Sequence, residues 1–221
     1  MMPEPVAPKP SLVQRFLRTT FGVLLVCVAV MWFIEIVDTV ILGDRLQRNG
    51  IHPRDTGEWD GILWAPWLHS DFGHLISNSV PLLVMGWLTA LRGFRYWLAV
   101  SVSTIVIGGG LVWLFGEGGT NHIGASGLVF GYFGALMGAA LRSRSPRMLA
   151  PALVALFLYG TILVGIVPQD DISWEGHLAG LVVGFFVAYR LVPPRPRRQA
   201  KDEDDGPMYP WELDEPWQTD Q

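Results

Sequence analysis

Charge is scarce in this chain. Asp, Glu, Lys and Arg make up 16% of its 221 residues, 20 acidic against 16 basic with a net charge of −4, where about 25% is usual for a soluble domain. Neither sign dominates, so the balance offers no case for a nucleic-acid partner. Cysteine is nearly absent. The lone Cys27 excludes an intrachain disulfide framework and a Cys-based zinc cluster, and it is expected to act as a small buried hydrophobe. Catalytic chemistry, if present, must come from other residues. Lysine is rare too, with two against fourteen arginines, a bias that points to a GC-rich, bacterial genome. Half of the residues are apolar and the mean hydropathy is +0.33, so a membrane protein is expected.

Crossing a hydrocarbon core takes about 20 mainly apolar residues per helix. Six such windows are predicted, at 20–41, 74–91, 96–115, 125–141, 148–167 and 176–192. The link 43–72 is long and carries Trp59, Trp64, Pro66 and Trp67, a composition suited to a loop lying partly inserted at the interface. Basic residues mark the inner side. Only Arg45, Arg48 and Arg54 fall on one face of this topology and the other thirteen Lys and Arg on the opposite one, which puts both termini inside. No small-x-small cleavage site follows the first window, so it is expected to be a retained anchor, and Val26 before Cys27 disfavours lipid attachment. Three parts are expected: a disordered cytoplasmic segment at 1–19, a six-helix domain at 20–192, and a disordered tail at 193–221, basic and then acidic. Its basic part would sit at the anionic inner leaflet.

Polar groups inside membrane helices are functional candidates. His69 to Asn78 enters the second window, with His74 and Asn78 four apart on one helical face. Gly124-Ala125-Ser126-Gly127 opens the fourth, and Gly176-His177-Leu178-Ala179-Gly180 opens the sixth. The predicted topology puts all three, and all five histidines, toward the outer side. Gly127, Gly131, Gly134 and Gly138 form a small-residue stripe, and Gly180 and Gly184 continue the face of His177; such stripes let backbones approach closely. If they meet, the Ser126 hydroxyl comes within reach of the His177 ring as a nucleophile–base pair. Ser126 near a helix N-terminus would find free N–H donors for an oxyanion, and His74 and Asn78 would add side-chain donors. No carboxylate is evident as a third member, Asp171 and Glu175 being read as facing water.

These residues resemble the rhomboid family of intramembrane serine proteases: H-x4-H-x3-N at His69, His74 and Asn78, G-x-S-G at Gly124, Ala125, Ser126 and Gly127, and H-x2-G-x3-G at His177, Gly180 and Gly184. The resemblance implies an all-α bundle of six transmembrane helices with an interfacial first loop. Ser126 would be the nucleophile, His177 the base and then the acid, and His74, Asn78 and the Ser126 N–H the oxyanion site. His69 would order the loop or hydrate the cavity. It implies single-span membrane proteins as substrates, cut in or near the transmembrane segment where Gly or Pro weakens the helix, with no metal or organic cofactor. Phe130 stands where many members carry a Tyr stacked on the histidine, and Trp59-Asp60 is the nearest approach to the usual Trp-Arg pair.

Other classes fit less well. A His-based metal site lacks carboxylate or thiolate partners at ligand spacing, and His122 is read as an exposed loop residue. A transporter would show inverted repeats or broken helices; Gly108-Gly109-Gly110 is read instead as a packing or bend site, and Glu35 and Asp38 as contacts to the interfacial loop rather than an ion path. A non-catalytic rhomboid-like binder would usually lack the serine or histidine.

Overall fold

The structure, a computed structural model, describes residues 12–169 and 172–194. Helix α1 runs over Leu12–Val37 and continues through a π-helical turn, Asp38–Leu42. The first loop holds a short helix α2, Gly61–Trp64, and a 3-10 turn, Ala65–Trp67. Then come α3 (Phe72–Ala90), α4 (Phe94–Ser103), a π turn (Thr104–Gly108) leading into α5 (Gly109–Phe115), α6 (Ser126–Ser143), α7 (Pro146–Tyr159) with a 3-10 extension (Gly160–Ile166), and α8 (Trp174–Leu191). Each expected window coincides with helix, most ends shifting by one or two residues. The larger difference is at the N-terminus, where α1 begins at Leu12, inside the segment expected to be unstructured. The expectations for residues 1–11 and 195–221 lie outside the described residues, as does Asp171.

Thr19–Leu42, Phe94–Phe115 and Pro146–Ile166 are long and apolar enough to cross a membrane. Their outer faces stay apolar: Phe33, Phe115 and Phe157 are exposed, which suits lipid rather than water.

At the centre stands α6, whose Val129, Phe130, Tyr132, Phe133, Ala135 and Leu136 are buried. The small-residue stripes do meet. A methyl on Gly184 would overlap the carbonyl oxygen of Gly131, one on Gly134 that of Leu181, and one on Gly138 that of Phe185. With no side chain between them, α6 and α8 touch backbone to backbone along this contact, and no larger residue fits. The glycine triplet sits at the junction of the π turn and α5 and serves packing, where Gly109 accepts the Ile62 side chain of the first loop and Gly108 faces the backbone of α8.

The first loop is tied down by its backbone groups. The buried Asp38 carboxylate accepts the N–H groups of Arg45, Leu46 and Gln47 at 2.8, 2.9 and 3.2 Å, which is the loop contact expected of it. Ile51 pairs with His122 in an antiparallel bridge, the Arg54 guanidinium donates to Gly116 O at 2.7 Å, and Gly124 N–H donates to Ala65 O at 2.8 Å. The loop is thereby fastened to the segment that leads into Ser126. Trp59 and Trp64 remain exposed on it.

Candidate active site

Ser126 is the first residue of α6 and His177 lies in the first turn of α8. Because the glycine stripes bring these helices into contact, the two side chains face each other: His177 Nε2 lies 2.8 Å from Ser126 Oγ. The other ring nitrogen, Nδ1, lies 2.8 Å from Gly165 O, in the 3-10 extension of α7. A carbonyl only accepts, so Nδ1 carries the proton and Nε2 presents a lone pair to the serine hydroxyl. That is the tautomer a general base requires. Phe130, one turn along α6, stacks on the ring with centroids 4.3 Å apart and planes 10° from parallel, so phenylalanine keeps the face-to-face contact expected of a tyrosine there.

Helix α3 supplies the opposite wall. Asp71 caps it, its carboxylate accepting His74 N–H at 2.9 Å, and this bond, with the Ser70 hydroxyl, holds the Asp71 carboxyl below the usual carboxylate range. Ser70 Oγ also stands 3.2 Å from His74 Nδ1. Asn78 is buried, its amide donating to His74 O at 2.9 Å and keeping a second N–H free. Gly124 has φ +107°, and a methyl there would lie 2.7 Å from His74 Nε2 and 3.6 Å from Asn78 Nδ2; only glycine lets the loop before Ser126 pass so close to both. Ala125 is buried just ahead of α6, and Gly127 faces the Gly176 carbonyl of α8. An open cavity is lined by Ser126, His177, His74, Asn78, Phe130 and Glu175. His69 lies outside its lining. It is buried, packs edge-on against His74 at 5.1 Å, and neither ring nitrogen has a hydrogen-bond partner.

Two features escaped sequence reasoning. His122, read as exposed, is 6% exposed, because the first loop covers it through Ile51; burial keeps its imidazole below the usual histidine range. The partner of His177 Nδ1 is a main-chain oxygen, for which no side chain leaves a signal. Glu175 accepts Glu117 N–H at 3.4 Å. Among the described residues no group of His, Cys, Asp and Glu is arranged to hold a metal ion.

The Rhomboid domain model matches residues 56–194. The chain belongs to the rhomboid family. An uncharacterized protein of Mycobacterium bovis is 38% identical over 186 residues, covering 80% of this rhomboid and 77% of that protein. RHOMBOID-like protein 5 of Arabidopsis thaliana is 29% identical over 172 residues, 72% of this chain and 55% of its own. The rhomboid protease GluP of Bacillus subtilis is 30% identical over 144 residues, 63% of this chain and 27% of GluP. Family and membrane-capable helices together make this rhomboid an integral membrane protein.

Proposed function

We propose that this rhomboid is an intramembrane serine endopeptidase that cuts single-span membrane proteins in or near their transmembrane segment. The observation that carries the reading is the pair of bonds on His177: proton fixed on Nδ1 by Gly165 O, lone pair of Nε2 aimed at Ser126 Oγ.

In this reading Ser126 Oγ attacks the scissile carbonyl while His177 Nε2 takes its proton. The oxyanion is received by the Ser126 N–H at the start of α6, by the free N–H of Asn78 and by the His74 ring. His177 then protonates the departing amine, leaving an acyl-enzyme on Ser126, and a water activated by the same ring hydrolyses it. The carbonyl of an intact helix is hydrogen-bonded and shielded, so the substrate unwinds locally first, which favours Gly or Pro near the cut. The chemistry on these side chains needs no metal or organic cofactor. Six spans, both termini inside, an active site opening outward and a bacterial inner membrane complete the proposal, supported by the six helical windows and the segregation of basic residues.

Cleavage of a model single-span substrate in liposomes by wild type, Ser126→Ala and His177→Ala tests it, together with fluorophosphonate labelling. Wild type should cut and label, and both variants should do neither. Cleavage that persists in Ser126→Ala overturns the nucleophile; a wild type that binds substrate but neither cuts nor labels is a binder.

A further inference from the structure

A second Ser–His contact lies one turn outside the first. His122, four residues before Ser126, has its Nδ1 2.6 Å from the hydroxyl of Ser173, four residues before His177. Its Nε2 lies 2.9 Å from Thr120 Oγ1. The hydrogens follow from the donor inventory. Thr120 has one hydroxyl hydrogen, given to Glu117 O at 2.6 Å, so its oxygen accepts from His122 Nε2–H. Nδ1 is then unprotonated and accepts the Ser173 hydroxyl. The main chain of His122 is held as well, donating to Ile51 O at 3.0 Å and accepting Ile51 N–H at 2.9 Å.

Ser173 occupies the N-cap position of α8, where serine normally satisfies a free helix N–H. Its side chain makes no cap bond there; the hydroxyl goes to His122 instead, while its carbonyl accepts the N–H of His177 at 3.1 Å. Ala125, at the equivalent position of α6, has no side chain able to cap. The starts of the two helices that carry Ser126 and His177 are thus joined to each other rather than capped separately.

We infer that His122 and Ser173 are positioning residues that clamp the starts of α6 and α8 together and so hold the Ser126–His177 hydrogen bond at its working length. The glycine contacts fix the spacing of the two helices below the pair, and the His122–Ser173 bond fixes it above. This inference rests on the serine-protease reading, and neither residue touches the reacting atoms.

The test takes the full chain in detergent and liposomes with the variants His122→Phe, Ser173→Ala, the double variant and Ser173→Thr. Losing one such bond and loosening the alignment should lower kcat about tenfold in each single variant, with KM within about twofold. The double variant should fall no further than either single one, and Ser173→Thr, which keeps the hydroxyl, should recover. With 15N-labelled histidine, the His122 signal, assigned by its loss in His122→Phe, should show the Nε2–H tautomer and should shift in Ser173→Ala. An unchanged kcat in a folded His122→Phe overturns the clamp, since a serine that only caps α8 would be freed to do so. So does multiplication of the two single losses, an effect confined to KM, or an Nδ1–H tautomer. If wild type fails to cleave, the protease reading falls on its own, and the nitrogen spectra still decide whether the clamp exists.

Discussion

Gly180→Ala tests whether backbone contact between α6 and α8 sets the chemistry. A methyl on Gly180 would overlap the carbonyl oxygen of Gly127 and stand 3.0 Å from its carbonyl carbon and 3.3 Å from its Cα. Ordinary carbon contacts begin near about 3.5 Å and the overlapped oxygen demands more, so α8 must retreat from α6 by roughly 1 Å. His177 lies one turn from Gly180 and Ser126 next to Gly127, so most of that shift falls on their 2.8 Å bond, stretching it beyond hydrogen-bond range. Overpacking should cost about 1–3 kcal/mol, offset by roughly 0.5–1 kcal/mol for replacing a helical glycine with alanine. The protein should therefore still fold while kcat drops about 100-fold, the usual consequence of a misplacement of this size. Gly22→Ala, with open space around the added methyl, serves as the control and should retain full activity. The assay pairs single-turnover cleavage in liposomes with thermal unfolding in detergent. A Gly180→Ala protein as active as wild type would refute the reasoning, because the geometry leaves no room for the methyl without moving the helix that carries His177.

Acid should weaken the fold through His69. Burial, assisted by the nearby His74 charge, pushes its pKa down to about 4 from 6.5, so the folded state holds it neutral. Below pH 6.5 the unfolded chain takes up a proton that the native state refuses, and stability falls as pH drops toward 4, by about 3 kcal/mol in all. Between pH 7.5 and 5 wild type should lose more unfolding free energy than His69→Phe; equal losses would remove His69 from the acid response. Asp38→Ala strips the acceptor from three backbone N–H groups of the first loop and should cost about 2–3 kcal/mol, part of which Asp38→Asn should restore; an Asp38→Ala protein as stable as wild type would mean that water replaces the carboxylate.

How much of this was legible in advance depended on whether a residue's neighbours are local. The length of the apolar runs located the helices because it is a property of single segments. The glycine stripes foretold the α6–α8 contact for a related reason: a face without side chains can only meet another such face closely, so Gly131 and Gly184 announced their pairing. His122 was misread because nothing in its own segment buries it; Ile51, from a loop 71 positions earlier in the sequence, does. The π turns at Asp38–Leu42 and Thr104–Gly108 went unseen because each is an extra residue taken up within a continuous apolar run. The start of α1 at Leu12 was missed because Arg15 and Arg18 look like the edge of a hydrophobic stretch, whereas a helix can continue into the polar region beyond it.

The oxygen that steers the His177 ring belongs to a glycine's main chain, and this changes how the site can fail. A side-chain orienter can be deleted by one codon change; an amide carbonyl persists through any replacement at position 165, where instead the added side chain would crowd the ring it steers, a Cβ there standing 3.0 Å from His177 Nδ1 and 3.2 Å from Phe130 Cζ. The feature is therefore carried by the contour of the segment after α7 together with the small residue at 165, and a small molecule that levers that segment outward would unfasten the imidazole without touching Ser126.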